Sequence, residues 1–222
     1  MSNIFAKLFE ISPLVWAVLA FLLLLSLLGI VFLSKRKSHS SSTLTTKKLV
    51  YGGMCIALSF ILSYIRLYKM PQGGSITLAS MFPIILYSMV FGPVAGIVVG
   101  IADGFLHLMQ DAWVLNWIQL IFDYPLAFGF LGLSGIAPKS IKSIQVRTIL
   151  AVSIALLGRG TMHFLSGIIF FKNFAPEGIS PVVYSLGYNA SYILPELIIT
   201  SILSIILIST PIYGVMKKSA VS

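Results

Sequence analysis

Five charged or hydrogen-bonding side chains stand inside otherwise apolar stretches of this chain: Asp123, Arg159, His163, Asn189 and Glu196. Asp123 is the sharpest case, set in the run Trp113 to Leu133 within Gln-Leu-Ile-Phe-Asp-Tyr-Pro-Leu-Ala-Phe (119–128). A charge at bilayer depth costs roughly 2.5–3.5 kcal/mol on insertion scales, so it faces a protein interior and a partner rather than lipid. On the last apolar segment Tyr184, Tyr188, Asn189, Tyr192 and Glu196 recur at spacings of three and four, which is one helical face. Arg159, His163 and Ser166 share a second stripe, and Asn116, Gln119 and Asp123 a third. Counting ~1.5 Å per residue from the outer end of each segment puts Asp123 at ~15 Å, His163 at ~12 Å and Asn189 at ~10 Å, with Arg159 and Glu196 deeper at ~18 and ~20 Å. Three polar stripes at matching depth predict a cavity between helices that opens outward. Aromatic rings with one acid suit a flat cationic ligand, because ring faces attract the cation and the carboxylate takes a charge-assisted hydrogen bond. The similar depth of Arg159 and Glu196 predicts an ion pair that locks the last two helices together.

The elements that must carry these stripes are membrane helices. The 222 residues are 58% hydrophobic and 9% charged, with a mean hydropathy of +1.00. That excludes an ordinary soluble domain and predicts an all-α, polytopic membrane helix bundle. The apolar runs are continuous and do not alternate, which argues against a β-barrel. They cover about 12–33, 49–66, 76–91, 94–109, 113–136, 147–171 and 182–215. The last is long enough to need tilt or a break at Pro195. Residues 1–37 read as an extra, uncleaved N-terminal transmembrane helix, 38–46 as a polar linker, and 47–222 as a six-helix membrane domain. Gly92-Pro93 is a sharp turn signal. Lys35, Arg36, Lys37, Lys47, Lys48, Lys139, Lys142, Arg147, Lys217 and Lys218 fall on one side of alternating helices, and Lys7, Arg66, Lys69 and Lys172 on the other. The positive-inside rule then places the first group in the cytoplasm, with the N-terminus outside and the C-terminus inside. The net charge of +9 serves topology in this distribution, not nucleic-acid binding.

Other chemistries find little support. Cys55 is the only cysteine, so an internal disulfide is excluded. There is no zinc-type Cys/His spacing and no phosphate-binding Gly-x-x-x-x-Gly-Lys loop, so any ATP hydrolysis belongs to a separate chain. Ser166 lies three residues from His163 on one helix with no oxyanion-donating loop evident, which argues against a serine-nucleophile enzyme. Asp103 and His107, four apart near an outer helix end, read as a local pair or as a cation gate. Trp113 reads as a marker of the outer interface, while Trp117 is left open.

Four signatures together resemble the thiamine-specific substrate-binding subunits (S components) of energy-coupling factor (ECF) transporters. They are Met70-Pro-Gln-Gly-Gly-Ser-Ile-Thr-Leu78; Gln119 with Asp123-Tyr-Pro-Leu-Ala-Phe128; His163-Phe-Leu-Ser-Gly-Ile-Ile-Phe170; and Tyr184-Ser-Leu-Gly-Tyr-Asn-Ala-Ser-Tyr192 with Pro195-Glu196. The likeness spans about 45–216. It implies a six-helix core in the plasma membrane that captures thiamine from outside, toppling to release it. The implied partners are an ECF transmembrane subunit and two ATPases. No cofactor or metal is expected beyond the ligand thiamine. By position, the resemblance makes Asp123 the acid that bonds the aminopyrimidine, followed by Tyr124, and makes His163, Tyr184, Asn189 and Arg159 pocket residues. Some members carry Trp in the pocket where this chain has Phe171 and Gly74. Stacking on the thiazolium is then either weaker or taken over by another aromatic such as Trp117. Gly53 and Ala57, four apart on the first core helix, fit the small-residue surface that docks on the transmembrane partner. The alternative that keeps the substrate is a solitary proton-coupled thiamine carrier, since intramembrane acids and histidines serve proton relays.

Overall fold

A computed structural model describes residues 45–110 and 112–221. The expected N-terminal helix over 12–33 and nearly all of the expected linker lie outside the described residues. Helix α1 (Thr46–Leu62) starts where Thr45 Oγ1 accepts the Lys48 N–H at 3.4 Å, a side-chain cap for an otherwise unpaired donor. Gly52, Cys55 and Ser59 are its buried face, while Gly53 and Ala57 are exposed on the opposite one. Behind α1 come two short antiparallel strands, β1 (Arg66–Lys69) and β2 (Ser75–Thr77), paired Tyr68↔Ile76 and Lys69↔Ser75 with a bulge next to Arg66. Gly73 and Gly74, at φ +87° and +89°, make the turn in the left-handed region that side chains avoid.

Helix α2 (Phe82–Phe91) is the centre of the bundle, with Phe82 through Met89 all buried. Gly92, at φ +93°, ends it, and Pro93 opens α3 (Pro93–His107). The next helix, α4 (Trp117–Ile136), is not uniform. Residues Phe122–Leu126 form a π turn, and Phe130–Ile136 tighten to 3₁₀. Pro125 has no N–H to give, and the Ala127 N–H reaches back five residues to the Phe122 carbonyl. Helices α5 (Ile144–Phe170) and α6 (Pro181–Ile208) are long, with Ser143 and Ser180 as N-caps. A short α7 (Ile212–Val221) follows. Helices α4, α5 and α6 are long and apolar enough to cross a membrane, while α2 and α3 are shorter apolar helices. The protein is thus an all-α membrane bundle, and its six-helix core is α1 to α6.

Two boundaries differ from expectation. The run 76–91 does not begin as helix, because residues 75–77 pair with β1 and α2 starts only at Phe82. The run 182–215 is not broken at Pro195, which sits inside a continuous α6; the helix ends at Ile208, ahead of Pro211. Within a bundle, neighbouring groups satisfy the carbonyl that an internal proline frees, whereas Pro211 coincides with a true turn.

Glycines set the distance between α3 and α4. A Cβ on Gly104 would sit 2.6 Å from the Tyr124 carbonyl oxygen, and one on Gly96 would sit 3.0 Å from Gly132 Cα. Gly100, between them, lies against the Phe128 carbonyl in the same way, and bare backbone at four-residue spacing lets the two helices touch. We therefore expect Gly104→Ala to destabilise the protein by about 1–3 kcal/mol through overpacking against the π turn. A lowered thermal midpoint in detergent is the measurement that checks it.

Candidate functional site

The α4 π turn turns Asp123 and Tyr124 into a cavity of about 140 Å³. The cavity is walled by the hairpin, the C-terminal end of α3, α4, the C-terminal half of α5 and the N-terminal half of α6. It therefore sits toward one end of the bundle, and Lys47, Lys48, Lys139, Lys142, Arg147, Lys217 and Lys218 sit toward the other.

Three donors converge on the Asp123 carboxylate. His163 Nδ1 lies 2.9 Å from Oδ1, while Gln119 Nε2 at 2.5 Å and Ser166 Oγ at 2.8 Å donate to Oδ2. Arg159 Nε donates to His163 Nε2 at 3.1 Å. That bond makes Nε2 an acceptor, so the imidazole carries its proton on Nδ1 and donates it to Asp123. The result is a chain Arg159–His163–Asp123 in which a neutral ring separates a cation from an anion. The guanidinium also lies 4.4 Å over the Phe128 ring and contacts Met81 Sδ at 2.8 Å.

The opposite wall comes from α6. Tyr184, Tyr188 and Tyr192 form a ladder with ring centroids 6.0 and 6.1 Å apart. Tyr192 OH donates to Asn189 Oδ1 at 2.7 Å, and Asn189 Nδ2 donates to the Ser185 carbonyl at 2.8 Å. The ladder also holds the hairpin tip over the cavity. Tyr184 OH donates to Gln72 Oε1 at 2.8 Å, and Tyr188 OH accepts the Gln72 N–H at 2.8 Å and donates to the Gly73 carbonyl at 2.9 Å. Gly74 lies flat against Tyr192, where a Cβ would come within 2.9 Å of Cζ. At the third side the Trp113 N–H donates to Tyr124 OH at 3.0 Å, and Gln119 Nε2 donates to the Trp113 carbonyl at 3.1 Å.

Residues 49–214 match the model of the thiamine transporter protein family (Thia_YuaJ). The chain belongs to that family. It is 36% identical over 152 residues to the thiamine transporter ThiT of Bacillus subtilis, covering 64% of this chain and 79% of that protein. It is 32% identical over 115 residues to ThiT of Lacticaseibacillus paracasei, covering 48% of this chain and 57% of that protein. Among solved structures, ThiT from Listeria monocytogenes superposes with a TM-score of 0.64 at 25% identity, covering 75% of this chain and 96% of that one. This member of the thiamine transporter family brings Asp123, Tyr124, Arg159, His163, Phe171, Tyr184, Asn189 and Gly74 to one cavity.

Two expected placements are corrected. Trp117 is 59% exposed and is absent from the cavity wall, where Trp113 stands instead. Asn116 caps α4 by accepting the Ile118 and Gln119 N–H groups at 3.0 and 2.9 Å, which makes Trp117 the outward first residue of the helix. The loop before it, tied to Gln119, carries Trp113 back over the site. The Arg159–Glu196 ion pair is not formed. Glu196, fully buried, takes the Thr77 N–H at 2.5 Å and the Thr77 hydroxyl at 2.7 Å, and so anchors the base of the hairpin. Arg159 is engaged by His163, Met81 and Phe128. Gln72, inside the first motif but not among the expected site residues, also lines the cavity beside the Gly73-Gly74 turn.

Proposed function

We propose that this chain is the substrate-binding membrane subunit of an ECF-type importer and captures thiamine from the extracellular side. What carries the reading is the Asp123 carboxylate, held by three donors inside a membrane helix of a thiamine transporter family member and presented to a cavity opposite a tyrosine ladder. A cationic ligand with an aminopyrimidine ring finds there a charged acceptor and aromatic faces. Extracellular capture is supported by the basic cluster at the far end of the bundle, which the positive-inside rule assigns to the cytoplasm. In this reading the N-terminus is outside, the C-terminus is cytoplasmic and no cofactor takes part. Gly53 and Ala57 are exposed at four-residue spacing on α1, as close docking on a transmembrane partner requires.

Uptake of labelled thiamine by cells lacking other thiamine transporters tests the energy source. We expect accumulation over many turnovers only when an ECF transmembrane subunit and its ATPases are expressed with this chain. Equal accumulation with the chain alone, abolished by dissipating the proton gradient, would replace this reading with the solitary carrier.

A further inference from the structure

His107 ends α3, outside the four motifs, and its side chain takes no part in the Asp123 cluster. Its Nδ1 is 2.9 Å from the Asp103 backbone carbonyl oxygen, a group that only accepts, so Nδ1 carries the ring hydrogen. Nε2 is then a lone-pair acceptor, and no donor in the described protein takes it. His107 is only 8% exposed, and it lines the cavity. The orientation is fixed on three sides: a tilted contact with Phe128 at 4.4 Å, an edge contact with Phe60 at 5.9 Å, and the Asp103 carboxylate 3.4 Å behind Nδ1. Asp103 is itself fully buried and held through Oδ2 by Ser59 Oγ at 2.8 Å. Asp103 Oδ1 has no hydrogen-bond partner, while the other polar side chains beside it pair with one another. Ser63 Oγ donates to Gln110 Oε1 at 2.8 Å, and Gln110 Nε2 donates to the Phe60 carbonyl at 3.1 Å. His107 Nε2 is thus a built, rigid and open acceptor on the cavity wall, on a different helix from Asp123.

We propose that His107 Nε2 accepts a hydrogen bond from the hydroxyl tail of the ligand, with Asp103 as the residue that positions the ring. This rests on the proposed thiamine reading. Thiamine has two kinds of hydrogen-bond donor, the amino group and the terminal hydroxyl. The Asp123 carboxylate takes the amino group in that reading, so the hydroxyl is what remains for a second acceptor. The subsite selects a neutral donor at that end of the molecule.

The test compares thiamine with an analogue whose hydroxyethyl group is replaced by ethyl, by calorimetric titration of wild type and His107→Phe, a change that keeps a flat ring beside Phe128. Wild type should prefer thiamine about tenfold, the worth of one buried neutral hydrogen bond. H107F should bind the two compounds alike, its loss falling on thiamine. A wild type that binds both equally, or an H107F that keeps the preference, overturns the assignment. A wild type that binds neither overturns the thiamine reading beneath it, and this subsite with it. A second readout needs no variant. The chain has three histidines, and in imidazole-¹⁵N spectra the Nε2 signal of His107 should move on adding thiamine and stay on adding the ethyl analogue. Identical behaviour with both compounds overturns the proposal.

Discussion

Asp123→Asn is expected to weaken thiamine binding roughly 10- to 150-fold, the span of about 1.5–3 kcal/mol for a hydrogen bond to a charged group, while the protein still folds. The carboxylate accepts from His163, Gln119 and Ser166 at once. An asparagine offers one acceptor oxygen and turns its own N–H groups toward one side of that ring of donors. The ligand loses a charged acceptor, and the site loses the negative charge nearest the cavity. Titration calorimetry gives the affinity, and an unchanged elution volume with a thermal midpoint near that of wild type separates a lost contact from a lost fold. Wild-type affinity in D123N would remove this acid from the binding site.

Gly74→Val is expected to give the second large effect. Gly74 has φ +89°, where a β-branched residue is strained by about 1–3 kcal/mol. A Cβ there also meets the Tyr192 ring at 2.9–3.2 Å. Relief requires the hairpin tip to lift from the tyrosine ladder, breaking the bonds from Tyr184 and Tyr188 to Gln72 and Gly73. Thiamine should then leave at least roughly tenfold faster, as expected when about 1.4 kcal/mol of closure is lost. Stopped-flow tryptophan fluorescence reads the dissociation rate directly. An unchanged rate would mean that the roof does not retain the ligand.

What was legible in the sequence follows from where backbone geometry is regular. The stripes on α5 and α6 were readable because those helices run unbroken, so spacings of three and four do mark one face: Arg159, His163 and Ser166 on one, Tyr184, Tyr188 and Tyr192 on the other. The Gly92-Pro93 break was readable for the same local reason. The hairpin was not. Its strands are four and three residues long, and the apolar residues after Ser75 merge into the run that α2 continues. The Arg159–Glu196 pair failed because equal depth is a single coordinate. Both residues are deep, yet Thr77, brought in by the unforeseen hairpin, holds Glu196 first. Trp113 and not Trp117 lines the cavity because the N-cap at Asn116 fixes where α4 begins, and apolar run lengths do not locate caps. The π turn that aims Asp123 was also invisible in hydropathy, although Pro125 two residues on is the group that cannot join an ordinary helix ladder.

The most direct test of the account is the structure of this protein determined with thiamine at saturating concentration. The ligand is expected in the cavity beneath the hairpin, its amino nitrogen about 2.7–3.2 Å from an Asp123 carboxylate oxygen and its rings between α5 and the tyrosines of α6. Thiamine bound elsewhere on the chain, or a cavity without it when every site should be filled, would contradict it.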